Sequence, residues 1–341
     1  MSDQGESRPA ARPTRRGPRR RRRTPWRLRL RMRWRRSRWR RQPATERRAD
    51  ELSLLINGHP EHVSGALPEL ATLLADSPDA ATTSAVVAAL GHAWDDRALR
   101  ILLDADLAGH PDPYVRLDLA RALNGGMPAP DLRRRAIPQL VLLSGDRVDE
   151  VRDWACCGLA ALLADDPTSR EALAARLEDP HADTRAEALV ALALAGDPRA
   201  LPRTIALLSV EDDGDVTLLQ LEAAVQLADP ALLPALTALE RAWAQDEYDE
   251  HVLRLRRALR RCTPEAAALA ADVERRLVAG LDERLAPVGH AVELRGSYPR
   301  TTLHVSDEEP EAGWWRRLWE HDDPDTLDVS QAVESWFLST R

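Results

Sequence analysis

Three arginines recur at nearly regular intervals in this 341-residue chain: Arg116, Arg152 and Arg185. They follow Val115, Val151 and Thr184, which are 36 and 33 residues apart, and Val216 continues the series 32 residues on with Thr217 in place of arginine. Acids stand five positions before the later members, as Asp146, Asp179 and Glu211. A guanidinium presents a planar fork of donors that matches a carboxylate bidentately. A recurring Arg with a recurring acid therefore predicts a structural ladder, each Arg pairing with an inter-helix acid of its own or the next repeat. A row of ligand-binding cations is the alternative.

Other residues offer cationic chemistry. Residues 26–41 read WRLRLRMRWRRSRWRR, nine arginines in sixteen positions. Guanidinium contacts to phosphate, with Trp26, Trp34 and Trp39 stacking on bases or lying at a bilayer interface, would suit nucleic acid or an anionic membrane. Folding back onto acids elsewhere in the chain is a second reading, and a true translation start downstream of the stretch is a third. In VLRLRRALRRC (252–262), Arg254, Arg257 and Arg261 share one helical face and are candidate phosphate contacts. Four of the ten tryptophans, Trp314, Trp315, Trp319 and Trp336, fall within 23 residues and are either a packed cap or a partner contact.

Catalytic and metal constellations are scarce. No Gly-rich phosphate loop, G-x-S-x-G or Cys/His nucleophile set occurs. His59 and His62 form an isolated HxxH without a second ligand cluster. Cys156, Cys157 and Cys262 have no metal-ligand spacing and read as free thiols of a reducing cytosol. No cofactor is expected.

The elements that must position these residues are helices. In each repeat, positions 0, 4 and 7 lie on one helical face and are mostly small, as in Val151, Ala155 and Gly158. A second amphipathic segment follows each, clearest in GDPRALPRTIALL (196–208) and ADPALLPALTAL (228–239), where Asp-Pro predicts a helix start. Five such units are expected over residues 66–245, including an early, weaker one at 84–103. One helix pair cannot bury its own apolar face, so at least three must stack.

The pattern of acid, gap, Val-Arg and small residues resembles the HEAT-repeat superfamily, in particular the bacterial HEAT-like repeats named after phycobilisome lyases. It is best matched by 146–175 and 179–208. The resemblance implies an all-α solenoid of stacked antiparallel helix pairs. It also raises enzymatic relatives. HEAT-like hydroxylases hold di-iron through His-Glu pairs, and this sequence contains no His-Glu dipeptide. A lyase would need a chromophore-handling context that is not discernible, and HEAT-like DNA glycosylases use a basic cradle.

Charge argues against that last role for the body. Residues 1–50 hold 20 arginines and 4 acids, a net +16, whereas residues 51–341 hold 28 arginines and 51 acids, a net −23. Lysine is absent, which with the Ala, Leu and Pro usage suggests a GC-rich bacterial gene. No apolar run is long enough to span a bilayer, and no apolar region follows the basic start as a secretory signal requires.

The expected organisation is a disordered Arg-rich arm (1–49), a HEAT-like α-solenoid (50–287) and a C-terminal appendage (288–341). Residues 249–261 and 264–285 read as helices. Alternation of Val292, Leu294, Leu303 and Val305 about a Gly/Pro turn predicts a β-hairpin, an acidic linker follows, and the tryptophans at 314–319 and 336 predict helices. The expected role is a non-enzymatic, cytoplasmic scaffold for a protein partner of unspecified identity. The alternative is nucleic-acid association through the arm and the arginines at 254–261.

Overall fold

The computed structural model describes residues 42–77, 79–125, 128–209, 216–243, 250–306, 314–320 and 322–338. The Arg-rich stretch 1–41, most of the acidic linker, and Glu211 lie outside the described residues. Among the described residues, thirteen helices form the solenoid: α1 (Ala44–Ile56), α2 (Pro60–Ala75), α3 (Ala80–Gly91), α4 (Asp96–Asp104), α5 (Pro113–Leu123), α6 (Pro130–Ser144), α7 (Asp149–Ala161), α8 (Pro167–Arg176), α9 (Ala182–Ala195), α10 (Ala200–Leu208), α11 (Leu218–Leu227), α12 (Leu233–Ala242) and α13 (Glu250–Arg261). Odd-numbered helices pack one on the next from α1 to α13 and make the first layer. The second layer packs α2 on α4, α4 on α6, α6 on α8 and α10 on α12. The chain is therefore an all-α solenoid of antiparallel pairs, as the repeat predicts.

Local chemistry starts and stops these helices. The side chains of Asp79, Asp112 and Asp166 accept hydrogen bonds from backbone N–H groups of the first turn, and Thr217 forms a capping box with Gln220. Proline opens α5, α6 and α8, where its missing N–H costs nothing. Small residues set the spacing between helices: a Cβ added at Gly158 of α7 would lie 2.9 Å from Leu140 Cδ2 of α6. Before α10 the side chain of Asp197 accepts from the Arg199 N–H, but the helix begins only at Ala200, later than the Asp-Pro pair predicts.

Two boundaries differ from expectation. Helix α1 begins at Ala44, so the limit at residue 49/50 falls inside a helix, and the stack starts one pair before the repeat is visible. Ala49, Leu52 and Ile56 of α1 are buried at helical spacing in the same core as α3, although α1 carries neither the Val-Arg nor the acid that marks later units.

A long helix, α14 (Pro264–Leu285), follows the stack and carries the appendage. Strands β1 (Ala291–Arg295), β2 (Thr302–Ser306) and β3 (Trp314–Arg317) form an antiparallel meander, and α15 (Val329–Leu338) closes it. The predicted hairpin is present, with Val292 opposite Val305 and Leu294 opposite Leu303. Residues 314–317 are a strand, not the expected helix. Aromatic residues suit a pleated surface, and the strand continues the ladder on the free edge of β2. Leu303, Val305, Leu318, Trp319, Val333 and Trp336 share one core with Val273, Leu277 and Leu281 of α14.

Candidate interaction face

The recurring arginines sit at equivalent places in α5, α7 and α9. Arg116 donates from Nε and Nη2 to Asp146 at 2.5 and 3.0 Å, and from Nη1 to the carbonyls of His110 and Pro111. Arg152 grips Asp179 the same way, at 2.7 Å through both nitrogens, and reaches the Asp146 carbonyl. Arg185 donates to the carbonyls of Asp179 and Pro180. Each acid belongs to the loop that opens the following repeat and also accepts a backbone N–H there, from Val148 or His181. Burial pushes the Asp146 and Asp179 carboxyls up, but the arginine and backbone donors outweigh it and hold both below the ordinary range. These contacts tie one repeat to the next, with the guanidinium of Arg152 almost wholly buried.

The water-facing side of the first layer has another character. Asp153 of α7 stands near Asp183 and Glu187 of α9, with Asp149 and Glu150 beside it. Burial first, then the neighbouring Asp183, pushes the Asp153 carboxyl up to about 6. Burial and the Asp153 charge push Glu187 up to about 7. Asp153 Oδ1 is enclosed without a hydrogen-bond donor among the described residues, and the nearby His181 ring favours its ionised form. Next to this cluster Trp154 lies under the Arg121 guanidinium, 5.4 Å from the ring centre, and Arg121 also bonds Asp118. The arrangement is a partly enclosed anionic strip flanked by an aromatic ring, suited to holding cations. No sequence motif marks it, because Asp153 and Glu187 are 34 residues apart and meet only when α7 packs on α9.

The arginines of α13 do not make an open phosphate face, which corrects the expectation. Arg254 pairs with Glu222 of α11, and Arg257 donates to Asp323 Oδ1 at 2.9 Å and to the Glu320 carbonyl. Arg261 is fully buried, 3.8 Å from Asp323 and over the Tyr298 ring. Arg260 completes the clasp with Asp323 Oδ2 at 3.0 Å. One aspartate of the appendage thus gathers three cations of the last first-layer helix, two of them 66 and 63 residues away in sequence.

Two of the four singled-out tryptophans are core. Trp319 is buried, donates its indole N–H to Glu274 at 2.9 Å and meets Tyr298 edge-on. Trp336 is buried beneath Arg316, 4.7 Å from the ring centre. Trp314 and Trp315 pair in the sheet with Val305 and His304, while their side chains lie outside what is described. His59, Glu61 and His62 bring ligand atoms within 4.8 Å of one another, all exposed, where α2 begins. All three cysteines are free, and burial pushes the Cys157 and Cys262 thiols up to about 12.

No protein-family model matches the chain, and no curated protein matches it. Several solved structures align with part of this chain. The Escherichia coli protein YibA is 20% identical, with 59% of this chain and 70% of that one covered at a TM-score of 0.46. A designed armadillo repeat protein, YIII(Dq)4CqI, is 17% identical over 64% of this chain and 93% of its own, TM-score 0.38. Another designed armadillo repeat protein, crystallised with the peptide (KR)4, is 16% identical over 64% and 91%, TM-score 0.37. Among the described residues, no helix is long and apolar enough to cross a membrane.

Proposed function

We propose that this chain is a non-enzymatic, cytoplasmic scaffold of the bacterial HEAT-like kind named after phycobilisome lyases. Its partner is a protein, and the segment it holds is cationic and extended along the first layer. The observation that carries the reading is the cluster of Asp153, Asp183 and Glu187 beside Trp154. There, burial and mutual repulsion raise two carboxyls, and one carboxylate oxygen lacks a donor. A lysine or arginine of a partner would supply the missing donor and relieve the repulsion, and Trp154 would cover its aliphatic stem.

An Arg-rich peptide labelled for fluorescence anisotropy tests this against the full chain. Binding should tighten as pH rises from about 5.5 to 8, when both carboxyls ionise, and should weaken at least tenfold in Asp153→Asn/Glu187→Gln. Equal affinity in parent and variant would remove the face from the partner site. The nucleic-acid alternative now rests on residues 1–41, because the arginines at 254, 257 and 261 are engaged internally. A gel-shift with RNA and duplex DNA at two salt concentrations separates the two readings.

A further inference from the structure

Where the appendage meets the stack, a cleft of about 130 Å³ opens between the ends of α7 and α9 and the sheet. A single water needs only ~10–15 Å³ of such space. Leu159, Leu163 and Leu194 form an apolar floor, and Arg300, Thr302 and Arg317 line the other wall.

Those arginines are unusual for this protein. The ladder arginines each have carboxylate or carbonyl partners. Arg317 is only 8% exposed, yet its guanidinium has no hydrogen bond or ion pair among the described residues. The same holds for Arg300, which lies flat on Gly196. There a Cβ would stand 2.7 Å from Nε, so the αL glycine that ends α9 also leaves room for the cation. Behind them Arg261 is buried, its nitrogens without hydrogen bonds among the described residues and its nearest carboxylate, Asp323, 3.8 Å from Nε.

The obvious local acceptors are occupied. Asp165 on the rim is bound to Arg170, the Ala195 carbonyl accepts from Arg170, and the Leu162 and Leu163 carbonyls accept from Arg133. Glu320 attracts Arg317, while Arg261 and Arg300 repel it. Burial, followed by that repulsion, lowers the Arg317 pKa, and burial also lowers that of Arg300. Guanidinium groups withdrawn this far from bulk water, with no carboxylate bonded to them among the described residues, are costly to keep unless something anionic completes them.

We propose that this cleft binds a small organic oxyanion, a carboxylate or phosphate on a short apolar body. Arg300 and Arg317 would donate to the oxygens, Thr302 would add a hydroxyl, and the three leucines would face the apolar part. The site is separate from the acidic face and selects the opposite charge. Occupancy would pin the sheet to the ends of α7 and α9, coupling a small molecule to the set of the appendage on the stack.

The test is titration calorimetry of the full chain with inorganic phosphate and, separately, with benzoate, at constant ionic strength held with chloride. Saturable binding of either is expected, weakened at least tenfold in Arg317→Gln and severalfold in Thr302→Val, which keeps shape and charge. Arg199→Gln, whose arginine pairs with Asp197 and Glu171 and does not line the cleft, should bind as the parent does. Should Arg317→Gln fail to fold, Thr302→Val and the parent still decide the matter. Absence of saturable binding of both probes by the parent would overturn the proposal, as would equal affinity in parent and Thr302→Val.

Discussion

Replacing Asp153 and Glu187 by Asn and Gln should stabilise the protein at alkaline pH and do little at acid pH. The folded state raises both carboxyls, from 3.8 to about 6 and from 4.5 to about 7. It therefore holds protons that the unfolded chain has released, and stability falls as pH rises from about 4 to about 7. Below the unfolded values both states are protonated and the penalty vanishes. Above the folded values it is complete. At 1.36 kcal/mol per unit each shift corresponds to about 3 kcal/mol. Each charge contributes to the other's shift and both groups keep some contact with water, so the pair amounts to about 3 kcal/mol in total.

At ~2 °C per kcal/mol for a chain of this size, the double variant should melt roughly 6 °C above the parent at pH 8. At pH 4 the two should coincide. Thermal melts followed by circular dichroism at half-unit pH steps give the whole curve. Burying two amides instead of two acids affects every pH alike, so the difference between pH 8 and pH 4 isolates the charge. A variant that is equally or less stable at pH 8 than at pH 4, relative to the parent, would refute the crowding of these carboxyls and the cation-binding face built on it.

Arg152→Ala leaves Asp179 buried without its bidentate partner and should cost about 3–5 kcal/mol by denaturant titration. Arg185→Ala, whose arginine bonds only carbonyls among the described residues, should cost about 1–2 kcal/mol. Asp323→Ala removes the carboxylate that Arg257, Arg260 and Arg261 share, and limited proteolysis should release the segment after α14 first. Trp319→Ala removes the largest fully buried side chain among the described residues and should cost about 3–5 kcal/mol. Cys156 and Cys262 are fully enclosed, so a thiol reagent at pH 8 should label them only after unfolding.

How much of this was legible depended on sequence distance. The Val-Arg step, the small residues at Ala155 and Gly158 and the Asp caps act within one helix or one repeat, and their period makes the solenoid legible in the sequence. The alternation of Val292, Leu294, Leu303 and Val305 exposed the hairpin for the same reason. Helix α1 was missed because it packs like a repeat without carrying the repeat's polar marks. The tryptophans at 314 and 315 misled because aromatic spacing in a short run fits a strand as well as a helix, and only the free edge of β2 decides. The Asp323 clasp, the Asp153–Glu187 cluster and the Arg300–Arg317 wall each join residues from different elements, so no window of sequence contains them.

The distribution of charge follows from the ladder. Arg116, Arg152 and Arg185 are spent between repeats, on acids and carbonyls of the loops, and Arg254, Arg257, Arg260 and Arg261 on holding the appendage. Cations committed to these joints cannot also neutralise the water-facing acids of α7 and α9. The net −23 of residues 51–341 is therefore not spread evenly; part of it is confined to a strip where repulsion is already visible in two raised carboxyls. Repulsion of that kind lowers stability and is relieved by neutralisation from outside. A polycation is the complement such a strip selects, and residues 1–50 of the same chain carry +16. An external basic partner would then compete with the chain's own N-terminal arginines, so its apparent affinity for the full chain should rise steeply when salt is lowered only if those arginines do not reach the strip first.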